Sequence, residues 1–204
     1  MTLTARSLIA ELDAALVGAS DSWRTAILRR ISDLYFGGAE LYTGDQVTVF
    51  DTVMCRLNKN IDRLLLAELS ERLAQMHNTP MNFVGALARH SDIAVSGPLL
   101  AQAKTLSDKD LAEIADRDRV DMNQLIKIAA REELSEPLTD VLIKRGNAAI
   151  QKAIIENPKA RVSESGFARL LVALDGDKML AAAIAARNDV PAELRVWLDK
   201  VLSE

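Results

Sequence analysis

Aromatic residues, glycine and proline are scarce in this sequence of 204 residues. Phe, Trp and Tyr together make up 4% of the chain, and there are only 9 Gly and 5 Pro. β-Strands favour aromatic and β-branched side chains, and turns need glycine and proline, whereas aliphatic and straight-chain residues favour helices. The shortage therefore argues against a strand-rich protein and predicts an all-α fold.

Cysteine, export signals and long apolar runs are also lacking. Cys55 is the single cysteine, which excludes a disulfide or a cysteine-ligated zinc or iron–sulfur site within one chain. The longest wholly apolar run, residues 179–186, is far shorter than the about 20 residues that span a bilayer. Acidic residues interrupt the apolar N-terminus early, unlike an export signal. We therefore expect a cytoplasmic protein with no cofactor and no membrane partner.

The chain has no surplus of positive charge. It contains 25 Lys+Arg against 29 Asp+Glu, which gives a formal net charge of −4. Proteins dedicated to nucleic acids neutralise phosphates with a surplus of Lys and Arg. The overall charge therefore argues against a nucleic-acid partner.

What the sequence does contain is a repeat of 28 residues. Similar polar turns begin at residues 106, 134, 162 and 190, and one more step back falls at residue 78. The second residue of four of these turns is a serine or threonine: Thr79, Ser107, Ser135 and Ser163. Such residues cap helix N-termini, because the side-chain oxygen accepts a hydrogen bond from an otherwise unpaired amide. The spacing therefore predicts five units, each opened by a capped helix.

Apolar columns run through the first helices of these units. Eight positions into each unit the residues are Ala86, Ile114, Leu142, Leu170 and Leu198. A second helix closes each unit, and helices this short bury their apolar faces only by stacking on neighbouring pairs. We predict a right-handed α-solenoid of HEAT-like helix pairs over residues 78–204. It continues from an N-terminal helical capping bundle at residues 1–77, with helices predicted at residues 3–17, 21–36, 43–59 and 61–76.

Several motifs resemble a known family. They are LARH at residues 87–90, VSGPLL at 95–100, LSDKDL at 106–111 and IENPKAR at 155–161. The sequence resembles a family of alphaproteobacterial proteins of unknown function, themselves similar to HEAT repeats and leucine-rich-repeat variants. The resemblance covers roughly residues 26–202. It implies an all-helical repeat fold and, by analogy, protein binding, and it brings no catalytic residues. Some leucine-rich-repeat variants hold an iron–sulfur cluster on an N-terminal cysteine motif, which is absent here.

Two columns of cations follow the same spacing. The first consists of Arg89, Arg117 and Arg145. A cation in the last turn of a helix offsets the helix dipole; alternatively, three guanidiniums in a row form a basic edge that binds an acidic or phosphorylated partner. The second, less regular column lies between units and consists of Arg131, Lys159 and Arg187.

Two aromatic residues are further candidates for binding. Tyr42 lies within the predicted loop from Gly37 to Gly44 and belongs, with three neighbours, to the densest aromatic stretch of the chain, residues 35–50. It is either part of the core of the N-terminal bundle or an exposed interface anchor. Trp197 lies on the last helix, where it either folds back on the array or marks end-to-end association into a homodimer.

No arrangement typical of catalysis accompanies the repeat. His77 and His90 are the only histidines, and there is no glycine-rich phosphate loop, nucleophile elbow or zinc-binding helix motif. We therefore expect a non-enzymatic scaffold that binds a protein or peptide along the solenoid surface, with no metal. The alternatives are a HEAT-like enzyme or small-ligand binder with a site in the concave groove, and a self-associating regulatory module.

Overall fold

The structure is a computed structural model. It describes residue 14, residues 16–174 and residues 176–203. Over these residues the chain forms twelve α-helices and no β-strand, which confirms the predicted all-α class. The helix predicted at residues 3–17 lies almost wholly outside the described residues.

The chain divides into two compact units, Met1–Leu106 and Ser107–Glu204. The first contains α1 (Asp21–Gly38), α2 (Gly44–Leu57), α3 (Arg63–Ala74), α4 (Met81–Ala88) and α5 (Ile93–Gln102). The second contains α6 (Asp108–Ala115), α7 (Met122–Ala129), α8 (Glu136–Lys144), α9 (Ala148–Glu156), α10 (Glu164–Val172), α11 (Lys178–Ala185) and α12 (Ala192–Ser203). The predicted start of the repeat, at residue 78, lies within the first unit.

The serines spaced 28 residues apart are helix N-caps. The Ser107 hydroxyl accepts from the amide of Asp110 at 3.2 Å, and the Asp110 carboxylate accepts from the amide of Ser107 at 3.1 Å, forming a capping box. The Ser163 hydroxyl accepts from the amide of Gly166 at 2.9 Å. Ser135 occupies the same position in α8 but makes no side-chain capping bond. The predicted helix starts are thus confirmed at all three serines.

The N-terminus of α4 is capped from another helix. Its N-cap is Pro80, not the predicted Thr79, and no side-chain bond is made from that position. Asp51 of α2, which is buried, accepts instead from the amides of Asn82 at 3.1 Å and Phe83 at 2.8 Å. The side-chain amide of Asn82 donates to the same carboxylate at 2.6 Å. The prediction at Thr79 is wrong because a carboxylate distant in sequence supplies the cap.

The predicted apolar column is buried in four of its five members: Ile114, Leu142, Leu170 and Leu198. Ala86 is exposed, and Leu87 is buried in its place. The shift of one residue follows from the later start of α4. The 28-residue spacing therefore locates a buried position in the second unit but misses the buried position of α4 by one residue.

In the second unit, alternate helices pack against each other. α8 contacts both α6 and α10, while α9 contacts both α7 and α11, and α12 packs on α11. The connections between helix pairs also meet: the amide of Arg161 donates to the carbonyl oxygen of Leu134 at 2.9 Å, and the Thr139 hydroxyl donates to the carbonyl oxygen of Arg161 at 2.6 Å. Backbone groups at successive turns are thus satisfied by the neighbouring helix pair.

The first unit shows the same alternation in part. α4 contacts α2 and α5 contacts α3, while α1 packs against both α2 and α3. Leu28, Met54, Leu69 and Leu73 form the centre of its core. This packing buries the helix faces whose apolar spacing predicted the helices at residues 21–36, 43–59 and 61–76.

Candidate binding surface

The first arginine column lies at the C-terminal ends of helices. Arg89 is the C-cap of α4, and its guanidinium donates to the carbonyl oxygen of Gly85 at 3.1 Å. Arg145 is the C-cap of α8, and it donates to the carbonyl oxygens of Ala115 at 2.9 Å and Arg117 at 2.6 Å. Arg117 is itself exposed, one residue beyond the C-cap of α6. Within the second unit, Arg145 therefore joins the end of α8 to the end of α6.

The three cations of the second column lie in three different environments. Burial lowers the pKa of the Arg131 guanidinium, and the charge of Asp108 opposes that effect. Lys159 is exposed and forms an ion pair with Glu132; this hydrogen bond raises the pKa of the lysine ammonium. Arg187 is buried. The three cations share a sequence spacing but not a common solvent-facing surface.

Arg187 forms a hydrogen-bonded junction between α9 and α11. Its two terminal nitrogens donate to four backbone carbonyl oxygens: Ile154 at 3.2 Å, Ile155 at 3.2 Å, Asn157 at 2.8 Å and Ala160 at 2.5 Å. Its Nε and Nη2 also donate to the Asp189 carboxylate, at 2.9 and 2.7 Å. Only 8% of Arg187 is exposed. The guanidinium thus supplies donors to carbonyl oxygens at the end of α9 and in the turn that follows it.

Tyr42 belongs to a cluster of aromatic rings in the first unit. Its ring centroid lies 6.0 Å from that of Tyr35 and 5.0 Å from that of Phe50, and its hydroxyl donates to the carbonyl oxygen of Leu34 at 3.1 Å. The ring also lies against Gly38, where a Cβ atom would come within 2.9 Å of it. Burial, aided by nearby charge, raises the pKa of Tyr35 to about 12. Tyr42 is half-buried in this cluster.

Trp197 lies on α12 and is 44% exposed. It is one of five large apolar side chains exposed among the described residues of the second unit: Met122, Val172, Met179, Val196 and Trp197. Four of the five are on its last three helices. Met179, on α11, is 82% exposed, and Val172, at the end of α10, is 87% exposed. The last three helices of the unit therefore expose four large apolar side chains to solvent, and we call these four residues the C-terminal apolar set.

An open groove of about 530 Å³ lies beside this set, between α8, α9 and α10. Its lining includes Ile143 and Lys144 of α8, Gln151 of α9, and Arg169 and Val172 of α10. None of these residues was predicted from the sequence to belong to a site. One signal was available: Gln151 interrupts an otherwise apolar helical face in the run AAIQKAII at residues 148–155. A polar side chain on a buried helix face is a stronger sign of a special role than a polar side chain exposed to solvent.

Two further observations bear on the class of site. Among the described residues, no group of three or more His, Cys, Asp and Glu side chains is arranged to hold a metal ion. In the same part of the chain, no helix is long and apolar enough to cross a membrane.

Residues 95–204 match the model of a family described as "Uncharacterised protein conserved in bacteria (DUF2336)". This match confirms the predicted resemblance to a bacterial family of unknown function. No curated protein and no solved structure matches the chain.

Proposed function

The chain belongs to the DUF2336 family of uncharacterised bacterial proteins, and on that premise we propose that it is a non-enzymatic scaffold that binds a protein or peptide. The proposed binding surface is the end of the second unit that carries the C-terminal apolar set. The proposed architecture is an α-solenoid of HEAT-like, 28-residue helix pairs within that unit. The proposed partner is a protein, not a nucleic acid or a membrane.

Local geometry supports the repeat. Three helix N-caps are 28 residues apart, and alternate helices pack on each other along both layers. Side chains link equivalent helix ends one unit apart: Arg145 donates to the carbonyl of Arg117, and the Asn157 amide donates to the carbonyl of Arg131 at 2.8 Å. Stacks of this kind offer extended surfaces that suit protein recognition.

The observation that carries the binding proposal is the C-terminal apolar set. Val172 and Met179 are more than four-fifths exposed, although apolar side chains of this size favour burial. Tryptophan and methionine are enriched at the centres of protein interfaces, and Trp197 is large enough to act as an anchor. Large apolar side chains left exposed on successive helices suit an interaction surface.

Affinity capture followed by mass spectrometry tests the proposal. The full chain is compared with a Met179→Glu/Trp197→Ala variant and with a control, Leu64→Glu, which changes an exposed apolar residue on α3 of the first unit. We expect one protein, or a small set, to be recovered with the parent and the control and lost with the double variant. All three chains are first checked by circular dichroism for unchanged helicity.

Light scattering separates binding of another protein from self-association. If the recovered partner is a second copy of this chain, the parent is a dimer and the double variant a monomer. A chain that recovers no protein, and whose melting temperature rises only with a nucleotide or small metabolite, contradicts the scaffold proposal and favours a small-ligand site.

A further inference from the structure

The groove between α8, α9 and α10 has features that the C-terminal apolar set alone does not explain. We propose that it binds an acidic peptide segment that carries one apolar side chain flanked by carboxylates. This proposal rests on the proposed function and names the chemistry of the partner. It assigns three roles within the groove, to apolar walls, to two cations and to one buried carboxamide.

The carboxamide is Gln151. Only 5% of this residue is exposed, and its side chain makes no hydrogen bond with any described residue. The other buried glutamine of the second unit, Gln124, differs: its side-chain oxygen accepts from the amide of Asp121 at 3.2 Å. The amide atoms of Gln151 are not among the enclosed, unpaired side-chain atoms of the described residues, so the amide contacts solvent where Gln151 lines the groove. A ligand in the groove can take the place of that solvent and hydrogen-bond to the amide.

Two cations lie in the groove lining. Lys144 at the end of α8 and Arg169 on α10 are both exposed, and neither forms an ion pair with a described residue. No described carboxylate lines the groove. The lining therefore carries positive charge, although the whole chain carries a net charge of −4. Charge complementarity favours an acidic ligand and rejects a basic one.

The apolar walls of the groove favour an apolar side chain of the ligand between the charges of Lys144 and Arg169. Ile143 and Val172 line the groove, and Val172 is 87% exposed. Covering this side chain with a leucine, isoleucine or phenylalanine of the ligand removes apolar surface from water. The groove volume of about 530 Å³ lies within the range of sites that hold a compact ligand segment.

The ligand is a peptide because of what a carboxamide recognises. The Gln151 side chain offers a donor and an acceptor side by side, and the N–H and C=O groups of an extended backbone complement that pair. Such a peptide places its side chains to either side of the bonded backbone group. One reaches the apolar wall, and neighbouring Asp or Glu residues reach Lys144 and Arg169.

Selection from a random-peptide phage library tests this inference with the full chain as bait. We expect the enriched peptides to combine Asp or Glu with one large apolar residue. Synthetic copies are then titrated by fluorescence anisotropy into the parent, a Lys144→Glu/Arg169→Glu variant and a Lys109→Glu/Lys127→Glu control. The control makes the same charge change at exposed lysines of α6 and α7 that do not line the groove. We expect affinity to fall about tenfold or more in the groove variant only.

Gln151→Leu separates recognition from a structural role. Because the Gln151 amide makes no hydrogen bond with a described residue and contacts solvent, the leucine variant should be about as stable as the parent, yet bind the peptides several-fold more weakly. Loss of stability together with binding would make Gln151 a structural residue and overturn its assignment.

Three outcomes overturn the groove proposal: no enrichment over blank resin, enrichment of non-acidic peptides, or binding that the groove variant leaves unchanged. If one of these outcomes is observed but the parent chain still captures a partner protein, only the groove proposal fails and the proposed scaffold function stands. Failure of the groove and failure of the proposed function are therefore distinguishable.

Discussion

Replacing Arg187 with methionine should destabilise the second unit by about 3–5 kcal/mol, because buried carbonyl oxygens lose a charged donor and each buried polar group left unsatisfied costs about 1–3 kcal/mol. The side chain donates to four carbonyl oxygens and to the Asp189 carboxylate. A hydrogen bond to a charged group contributes about 1.5–3 kcal/mol. Asp189 is 42% exposed and can be solvated again after the change, so most of the loss comes from the buried carbonyls at the end of α9.

Urea denaturation followed by far-ultraviolet circular dichroism measures this effect. We expect the midpoint to fall with little change in the slope, since the folded chain stays compact. Arg161→Met is the matched control: Arg161 is exposed, and its replacement should change stability by no more than about 0.5 kcal/mol. If the two variants lose the same stability, or Arg187→Met loses less than about 1 kcal/mol, the carbonyls at the end of α9 do not need the guanidinium and the reasoning fails.

Three further predictions concern buried polar groups. Asp51→Asn should lose about 1–3 kcal/mol in urea denaturation, because three N–H donors and the Cys55 thiol lose a charged acceptor; the exposed Asp45→Asn control should lose much less. Ser70→Ala should be neutral or stabilising, since the buried Ser70 hydroxyl has no partner among the described residues. Ser163→Ala should cost about 1 kcal/mol by removing a helix cap. Equal losses of stability in the two variants would contradict this difference between the two hydroxyls. Burial and the neighbouring carboxylate of Asp51 raise the pKa of Cys55 from 9.0 to about 11. The folded chain keeps this proton longer than the unfolded chain, so the contribution of the thiol is full below about pH 9 and is lost as the pH rises to about 11. Urea midpoints should therefore fall more steeply over that range for the parent than for Cys55→Ala, and parallel curves would refute the shift.

Features set by neighbouring residues could be predicted from the sequence. The starts of α6, α8 and α10 follow from Ser107, Ser135 and Ser163, because an N-cap is a local arrangement that depends on the residue and the next turn. Burial of Leu142 and Leu170 follows from helical spacing in the same way. The predictions at these positions are correct because local preference and tertiary packing agree there.

Features set by distant residues could not be predicted. Asp51 reaches the start of α4 from another helix, and that contact replaces the expected cap at Thr79. Equal spacing likewise predicted one role for Lys159 and Arg187, although one is exposed and the other is enclosed by backbone carbonyls. Spacing along a chain does not determine which carbonyls lie within reach of a long side chain.

The candidate groove shows the same limit. Its lining comes from three helices, so no single stretch of sequence contains it. Gln151 was visible as a polar residue on an apolar face, but only the packed structure shows that its side chain lines a groove, whereas the Gln124 oxygen accepts a hydrogen bond from Asp121. Lys144 and Arg169 have no distinguishing sequence context, because isolated exposed cations are common on helices.

Isothermal titration calorimetry of a captured partner into the purified full chain tests most directly whether this protein acts by binding another protein. We predict saturable heat with one partner per chain, retained in Lys109→Glu/Lys127→Glu and weakened in Met179→Glu/Trp197→Ala. A flat titration for every captured protein, or equal binding by the parent and the Met179→Glu/Trp197→Ala chain, would contradict a scaffold that binds through the end of its second unit.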